Sequence, residues 1–187
     1  YPLYAGGLLE PFRLHAETFA AAAETYDALV VSCSLCLWLL RTQYGPSGVP
    51  LRPQILHPSE LFAPYAESLP VARKLRAVNY HDPCHLGRRL GVYDAPRQLL
   101  ARVADRVCEL ATSRDQARCC GAGGLLPVTD RALSGAMARD RLGELADSDA
   151  PDAPLVSACP GCQSHLAGAG GEQGGRDLIA MLDAATA

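Results

Sequence analysis

Short apolar runs, many of them β-branched, alternate along the chain with longer stretches in which apolar residues recur at helical spacing. Each short run is bounded by proline, glycine or polar residues, as buried strands of parallel sheets often are. The pattern predicts five strands: Ala28–Ser32, Gln54–His57, Ala77–His81, Val107–Leu110 and Leu155–Ala158. It predicts six helices between and after them: Arg13–Tyr26, Leu35–Tyr44, Ser59–Leu69, Ala95–Ala104, Asp130–Ala146 and Asp177–Ala184. Such alternation indicates an α/β fold with short, largely parallel sheets flanked by helices.

The helical pattern is clearest in the stretch that begins at Asp130. Its apolar stripe consists of Leu133, Ala136, Met137 and Leu142. The charged residues outside that stripe are Arg131, Arg139, Asp140 and Arg141. This arrangement predicts an amphipathic helix that buries the apolar stripe and exposes the charges.

Two stretches of the chain resemble each other. Each has a hydrophobic strand, a Cys-x-x-Cys turn and a helix, with Cys33 and Cys36 in the first stretch and Cys159 and Cys162 in the second. A Gly-Gly-Leu-Leu segment precedes each of them. We therefore expect a tandem pseudo-repeat, with a truncated and degenerate first copy over residues 1–68 and a complete second copy over residues 69–187.

Length, composition and charge exclude several classes of protein. The chain has 187 residues, 49% of them hydrophobic, and a net charge of −3, which argues against disorder and against a basic nucleic-acid-binding surface. Its longest apolar run, residues 28–40, is shorter than the roughly 20 residues of a spanning helix, and no secretory leader is visible. We expect a cytoplasmic protein, with peripheral association to the inner face of the membrane left open. In the cytoplasm, clustered cysteines indicate metal or redox chemistry more often than structural disulfides.

Six of the eight cysteines lie in the second copy, and five of them are candidate ligands: Cys84, Cys119, Cys120, Cys159 and Cys162. The Asp82-Pro83-Cys84 segment is typical of a helix start, where a thiolate is favoured by the positive end of the helix. The adjacent pair precedes Gly121, and glycine permits a backbone that approaches a bulky group closely. The Cys-x-x-Cys turn leaves a strand and enters a helix, so both sulfurs can face one metal centre.

The number and arrangement of these thiols favour an iron–sulfur cluster. A structural zinc ion takes four ligands, whereas a cluster distributes soft thiolates over several irons. Cys108, inside a predicted strand, is expected to be a packed hydrophobe instead.

Two alternatives stay open at this point. One is a structural zinc site formed by Cys33, Cys36, Cys159 and Cys162. The other is a metal-free thiol–disulfide oxidoreductase that uses the adjacent pair or a Cys-x-x-Cys pair.

Four segments together resemble the cysteine-rich CCG domain: Tyr80-His-Asp-Pro-Cys84-His-Leu-Gly-Arg88, Gly91-Val-Tyr-Asp-Ala-Pro-Arg97, Cys119-Cys-Gly-Ala-Gly-Gly124 and Cys159-Pro-Gly-Cys162. This domain occurs in the B and D components of heterodisulfide reductase and in the iron–sulfur component of glycolate oxidase. The resemblance implies that the five candidate cysteines of the second copy are ligands of a non-cubane [4Fe–4S] cluster. It also implies an oxidoreductase subunit that passes electrons to a disulfide or to a quinone-linked acceptor. The expected partners are ferredoxin-like, flavin or quinone-linked redox subunits.

The first copy departs from the family pattern. It has Tyr4-Ala5 where an adjacent cysteine pair is expected, and it keeps only Cys33 and Cys36. These two cysteines are interpreted as relics, as a redox dithiol or as further metal ligands.

His81 and His85 flank Cys84. We expect a structural role for His81 and consider His85 a candidate for proton transfer.

Overall fold

The structure is a computed structural model that describes residues 1–170 and 174–186. Its α-helices within these residues are α1 (Pro2–Ala5), α2 (Leu9–Ala23), α3 (Ser34–Thr42), α4 (Pro58–Phe62), α5 (Asp94–Val103), α6 (Leu126–Thr129), α7 (Arg131–Gly143), α8 (Pro160–Gly170) and α9 (Leu178–Thr186). Its strands are β1 (Ala28–Val30), β2 (Gln54–Leu56), β3 (Val78–His81), β4 (Val107–Glu109), β5 (Leu155–Ser157) and β6 (Arg176–Asp177). Short 3₁₀ helices cover Ala63–Ser68, Arg114–Gln116 and Glu144–Asp147.

The strands form two parallel sheets, which confirms the predicted α/β class. One sheet pairs β1 with β2, and the other has the order β4-β3-β5-β6. In the larger sheet Tyr80 pairs with Glu109 on one side and with Val156 on the other. The connections from β3 to β4 and from β5 to β6 therefore run in opposite directions from the centre of the sheet. In open α/β sheets, ligands bind beyond the carboxyl ends of the strands at such a switch point. The predicted division after residue 68 falls between the two sheets.

The main core lies around the larger sheet. All four residues of β3 are buried, because helices cover both faces of the sheet. Helix α5 contributes Leu99 and Leu100, and α9 contributes Leu178, all of them fully buried. Leu37 of α3 belongs to the same core, so the N-terminal part of the chain packs against the larger sheet. Among the described residues, no helix combines the length and the hydropathy that crossing a bilayer requires.

Most predicted elements form, with differences that have local causes. All five predicted strands are present, and β6 is an additional strand of two polar residues that gives no apolar signal. The predicted helix over residues 59–69 is divided into α4 and a 3₁₀ helix that begins at Ala63, next to Pro64. The predicted helix start at Asp82-Pro83-Cys84 is wrong, since residues 84–90 form turns and the Asp82 carboxylate pairs with Arg97 instead of capping a helix.

The predicted orientation of α7 is also wrong. Its buried residues are Ser134, Ala138 and Arg141, whereas Leu133 is 50% exposed. The guanidinium of Arg141 is buried because it binds Glu144 and other polar groups beneath the helix. A specific polar network therefore overrides the apolar stripe that the sequence suggested.

Candidate functional site

Six cysteines line one cavity beyond the carboxyl ends of β1, β3 and β5: Cys33, Cys84, Cys119, Cys120, Cys159 and Cys162. Five of them are the cysteines that the sequence predicts as ligands, so residues up to 78 positions apart along the chain meet at the switch point of the sheet. Cys108 is 3% exposed inside β4, in agreement with the packing role expected for it. Cys36 lies beside Cys33 and is not among the residues that line the cavity.

The position of Cys84 is fixed by an ion pair beneath it. Asp82, which is 2% exposed, receives two hydrogen bonds of 2.8 Å from the Arg97 guanidinium. Arg97 extends from α5, also binds Glu109 of β4 at 2.6 Å, and lies 4.8 Å above the Tyr80 ring. Breaking a buried ion pair leaves an uncompensated charge, which typically costs about 3–5 kcal/mol. The turn that carries Cys84 is therefore held rigidly against β3 and β4.

The adjacent cysteines depend on the glycine that follows them. Gly121 has φ = +85°, and a Cβ atom placed there would lie 2.5 Å from the carbonyl oxygen of Ser134 in α7. Only glycine accepts both the left-handed backbone and this close approach. The Ser134 hydroxyl donates a 2.9 Å hydrogen bond to the Gly121 carbonyl, and the Gly121 N–H donates to the Cys119 sulfur at 3.4 Å. These contacts direct Cys119 and Cys120 into the cavity.

The two Cys-x-x-Cys turns share one local geometry. Each first cysteine directly precedes a helix, and the backbone N–H of the second cysteine donates a hydrogen bond to the first cysteine's sulfur. This contact joins Cys162 to Cys159 at the start of α8 and Cys36 to Cys33 at the start of α3. The amides at a helix N-terminus stabilise a thiolate, which is the form that binds metals.

The cavity thiols interact as a continuous series from Cys84 through Cys119, Cys120, Cys162 and Cys159 to Cys33. The sulfurs of Cys120 and Cys162 are 3.0 Å apart. Hydrogen bonds from Cys120 and Cys84 lower the pKa of Cys119 to about 2. Those from Cys162 and Cys33 likewise lower the pKa of Cys159. The series thus contains sulfurs that are ready to act as thiolate ligands.

A buried histidine lies against this series. The Nδ1 atom of His81 accepts a 3.0 Å hydrogen bond from Nε of Arg141, so the ring proton belongs on Nε2. Nε2 is buried and has no hydrogen-bond partner among the described residues. A ring nitrogen of His81 and the sulfurs of Cys120 and Cys162 lie within 4.8 Å of one another. Burial lowers the pKa of His81 to about 4, which keeps the ring neutral.

The donor set fits an iron–sulfur cluster. Five closely spaced sulfurs suit soft iron sites, and the nearby buried Nε2–H of His81, which has no partner among the described residues, suits a group that carries acceptor sulfurs. Burying a polar N–H without a partner is unfavourable, so the observed arrangement is explained if a sulfur-containing group accepts this hydrogen bond.

His85 lies on the wall of the same cavity. It is half-buried, its Nδ1 is 3.5 Å from the Cys84 sulfur, and its ring centroid is 5.3 Å from that of Trp38. The position is consistent with the proton-transfer role considered for it, because the ring lies beside the Cys84 sulfur and lines the cavity.

Two further residues of the N-terminal part contact the elements that carry the cysteines, and neither was predicted as a site residue. Ser34 is 1% exposed, and its hydroxyl hydrogen-bonds the Cys159 sulfur. His57, also 1% exposed, directs Nε2 at the carbonyl oxygens of Ser32 (3.2 Å) and Ala158 (3.0 Å). His57 thereby joins the two strand ends that carry the Cys-x-x-Cys turns. In the sequence, His57 is visible only as a residue that can cap a helix together with Glu60, and the structure contains this cap.

Comparison with known proteins identifies the part of the chain that holds these thiols. Residues 78–167 match the family model described as the CCG cysteine-rich domain, and they include all five predicted ligands. The chain contains a CCG cysteine-rich domain. The match begins at β3 and ends within α8. It therefore covers the switch point of the larger sheet and the parts of the cavity wall that this sheet forms.

Three relatives of this CCG-domain chain are redox proteins by name. It is 32% identical over 171 residues to a probable membrane-anchored ferredoxin of Chromohalobacter salexigens, which covers 86% of this chain and 25% of that protein. It is 39% identical over 92 residues to the D component of the dihydromethanophenazine:CoB–CoM heterodisulfide reductase of Methanosarcina barkeri, covering 49% and 22%. It is 29% identical over 165 residues to the B component of the fumarate reductase (CoM/CoB) of Methanothermobacter marburgensis, covering 88% and 32%. The chain therefore spans about a third or less of these relatives.

Proposed function

We propose that the chain is an iron–sulfur electron-transfer component of a heterodisulfide reductase-like oxidoreductase. In this proposal a non-cubane [4Fe–4S] cluster is held by five cysteines: Cys84, Cys119, Cys120, Cys159 and Cys162. The observation that carries the proposal is their convergence on one cavity within the CCG domain. The names of the relatives, which include a ferredoxin and two reductase components, support electron transfer as the role.

The geometry favours this cluster over a structural zinc ion. A tetrahedral zinc site formed by both Cys-x-x-Cys turns would need Cys36, which is not among the residues that line the cavity. It would also leave Cys84, Cys119 and Cys120 without a partner metal although they line the same space. Five thiolates distributed over several irons would use Cys84, Cys119 and Cys120 together with Cys159 and Cys162.

The side chains of the protein prepare the site in distinct ways. When bound, the cluster supplies one-electron chemistry and an iron that accepts a soft sulfur ligand. Lowered pKa values favour the thiolate forms of Cys119 and Cys159, and the hydrogen bond from Arg141 leaves the ring proton of His81 on Nε2. Leu35 and Gly123 line the cavity with the cysteines, and apolar contacts of this kind limit the access of water. His85 holds a ring nitrogen beside Cys84, where a departing thiolate would need a proton.

We infer that the electrons come from and pass to other redox subunits, with a disulfide or a quinone-linked compound as the final acceptor. Ferredoxin-like, flavin or quinone-linked proteins are the proposed partners, because several relatives are named as subunits of reductases. The proposed location is the cytoplasm, including the inner face of the membrane.

Substitution of single cysteines under anaerobic conditions tests the ligand set. Cys120→Ser is expected to abolish the broad visible absorption and most of the bound iron, because it removes a buried sulfur at the centre of the series. The matched control is Cys108→Ser, a buried cysteine of β4 outside the cavity, which is expected to keep the full iron content. If both variants retained the iron of the native protein, the ligand assignment would be wrong.

A further inference from the structure

Three of the eight cysteines are not ligands of the proposed cluster, and one of them, Cys108, is packed inside β4. Cys33 and Cys36 come from the N-terminal part, and both are half-buried free thiols. Cys33 lines the cavity, whereas Cys36 lies outside it in the first turn of α3. The proposed ligand set is complete with five cysteines of the CCG domain, so Cys33 and Cys36 need a separate explanation.

The two side chains are arranged as a pair. Cys33 directly precedes α3 and Cys36 lies in its first turn, so the two cysteines are three residues apart at the start of the helix. The two thiols interact with each other, and the Cys36 N–H donates to the Cys33 sulfur. This spacing brings the two side chains near each other. Helix α3 is anchored by Leu37 and Leu39, which are 0% and 5% exposed, so the pair is carried by a rigid element.

We propose that Cys33 and Cys36 form a redox-active dithiol that exchanges with small organic disulfides at the mouth of the cysteine cavity. This goes beyond the proposed function and rests on it in one respect, namely that the other cavity cysteines are occupied as ligands. The contact between Cys33 and Cys159 places the exchange directly beside the cluster ligands.

The exchange balances in two steps. The sulfur of one cysteine attacks the organic disulfide, a mixed disulfide forms, and the first organic thiolate leaves with the electron pair of the broken S–S bond. The second cysteine then attacks the mixed disulfide, which closes the Cys33–Cys36 bond and releases the second thiolate. The organic disulfide gains two electrons, the pair loses two, and the two thiol protons end on the product thiols. A reduced external dithiol restores the pair by the reverse exchange.

The test uses the anaerobically purified, iron-containing chain with 5,5′-dithiobis(2-nitrobenzoate) as the disulfide. We expect two thionitrobenzoate anions released per native chain, no label retained, a Cys33–Cys36 cross-link in the peptide map and an unchanged iron content. Cys33→Ser and Cys36→Ser are each expected to release one anion and to retain one label on the remaining cysteine. Cys108→Ser, whose buried thiol lies elsewhere, should behave as the native chain does.

Three results would overturn the dithiol. They are two separate labels retained on the native chain, no reaction at either cysteine, or loss of the iron in Cys33→Ser, which would make Cys33 a ligand. Failure of the proposed function looks different, because the native chain would then bind no iron while closure of the Cys33–Cys36 bond would remain measurable.

Discussion

The Nε2–H of His81, which no described residue accepts, gives the most specific expectation at the scale of single residues. In His81→Asn, the side-chain oxygen can still accept the hydrogen bond from Arg141, but the Nε2 donor near Cys120 and Cys162 is lost. Hydrogen bonds to cluster sulfurs favour the reduced state, so we expect a lower reduction potential. If the lost hydrogen bond contributes about 1 kcal/mol, the reduction potential of a one-electron step falls by roughly 40 mV.

An electrochemical titration followed by absorption or electron paramagnetic resonance measures this shift. His15→Asn is the control, because His15 is an exposed residue of α2. An unchanged potential in His81→Asn at full iron content would show that the Nε2 hydrogen does not reach the cluster.

Glu144 gives a prediction about acid stability. Burial favours its protonated form, but hydrogen bonds from Thr112 and the charge of Arg141 outweigh burial and lower the pKa of Glu144. The pKa of a glutamate in the unfolded chain is about 4.3, and that of Glu144 is lower in the folded state, so its ionisation stabilises the fold above pH 4.3. This stabilisation is lost as the pH falls through the folded-state pKa. We therefore expect Glu144→Gln to lower the free energy of unfolding by about 1–3 kcal/mol at pH 7.

Urea denaturation at pH 7 and below pH 4 measures this difference, which should shrink at the lower pH. Glu67→Gln, at an exposed position of the Ala63–Ser68 helix, should change stability little at either pH. An equal loss at both pH values would contradict the assigned ionisation of Glu144.

At the scale of elements, the contact between Gly121 and α7 decides whether the adjacent cysteines can enter the cavity. In Gly121→Ala the new methyl group would overlap the Ser134 carbonyl oxygen, and the backbone would be strained at φ = +85°. We expect loss of most bound iron, because Cys119 and Cys120 would be displaced. The matched control is Gly124→Ala, which has φ = +69° but open space around the added atom.

The control variant should lose only about 1–2 kcal/mol of stability from the left-handed backbone and should retain its iron. Iron analysis and thermal unfolding of both variants check the prediction. Equal iron content in Gly121→Ala and the native chain would show that α7 does not control the cysteine pair.

The elements show which features a sequence makes visible. The strands around Tyr80 and Val156 were predictable because local apolar runs encode buried strands, and the Cys159-x-x-Cys162 turn was visible as a motif. The burial of Arg141 was not, because its partners lie 29 and 60 residues away along the chain at Thr112 and His81. Periodicity describes one helix at a time and contains no information about such distant polar contacts.

At the scale of the whole molecule, the two sheets meet at the cavity. The sequence suggested the two related copies, but it did not show that Cys33 and Ser34 of the first would face Cys159 of the second. His57 joins the ends of β1 and β5 through the carbonyl oxygens of Ser32 and Ala158. The N-terminal part therefore completes a site whose ligands lie in the CCG domain.

Five cysteines that lie far apart in the sequence are proposed to bind one iron–sulfur cluster. The decisive experiment is native mass spectrometry of the anaerobically reconstituted chain, with iron, sulfide and zinc analysis of the same sample. We expect a single added mass that corresponds to four irons and four sulfides per chain. A chain that carries one zinc ion, or no metal at all, would refute the proposed cluster.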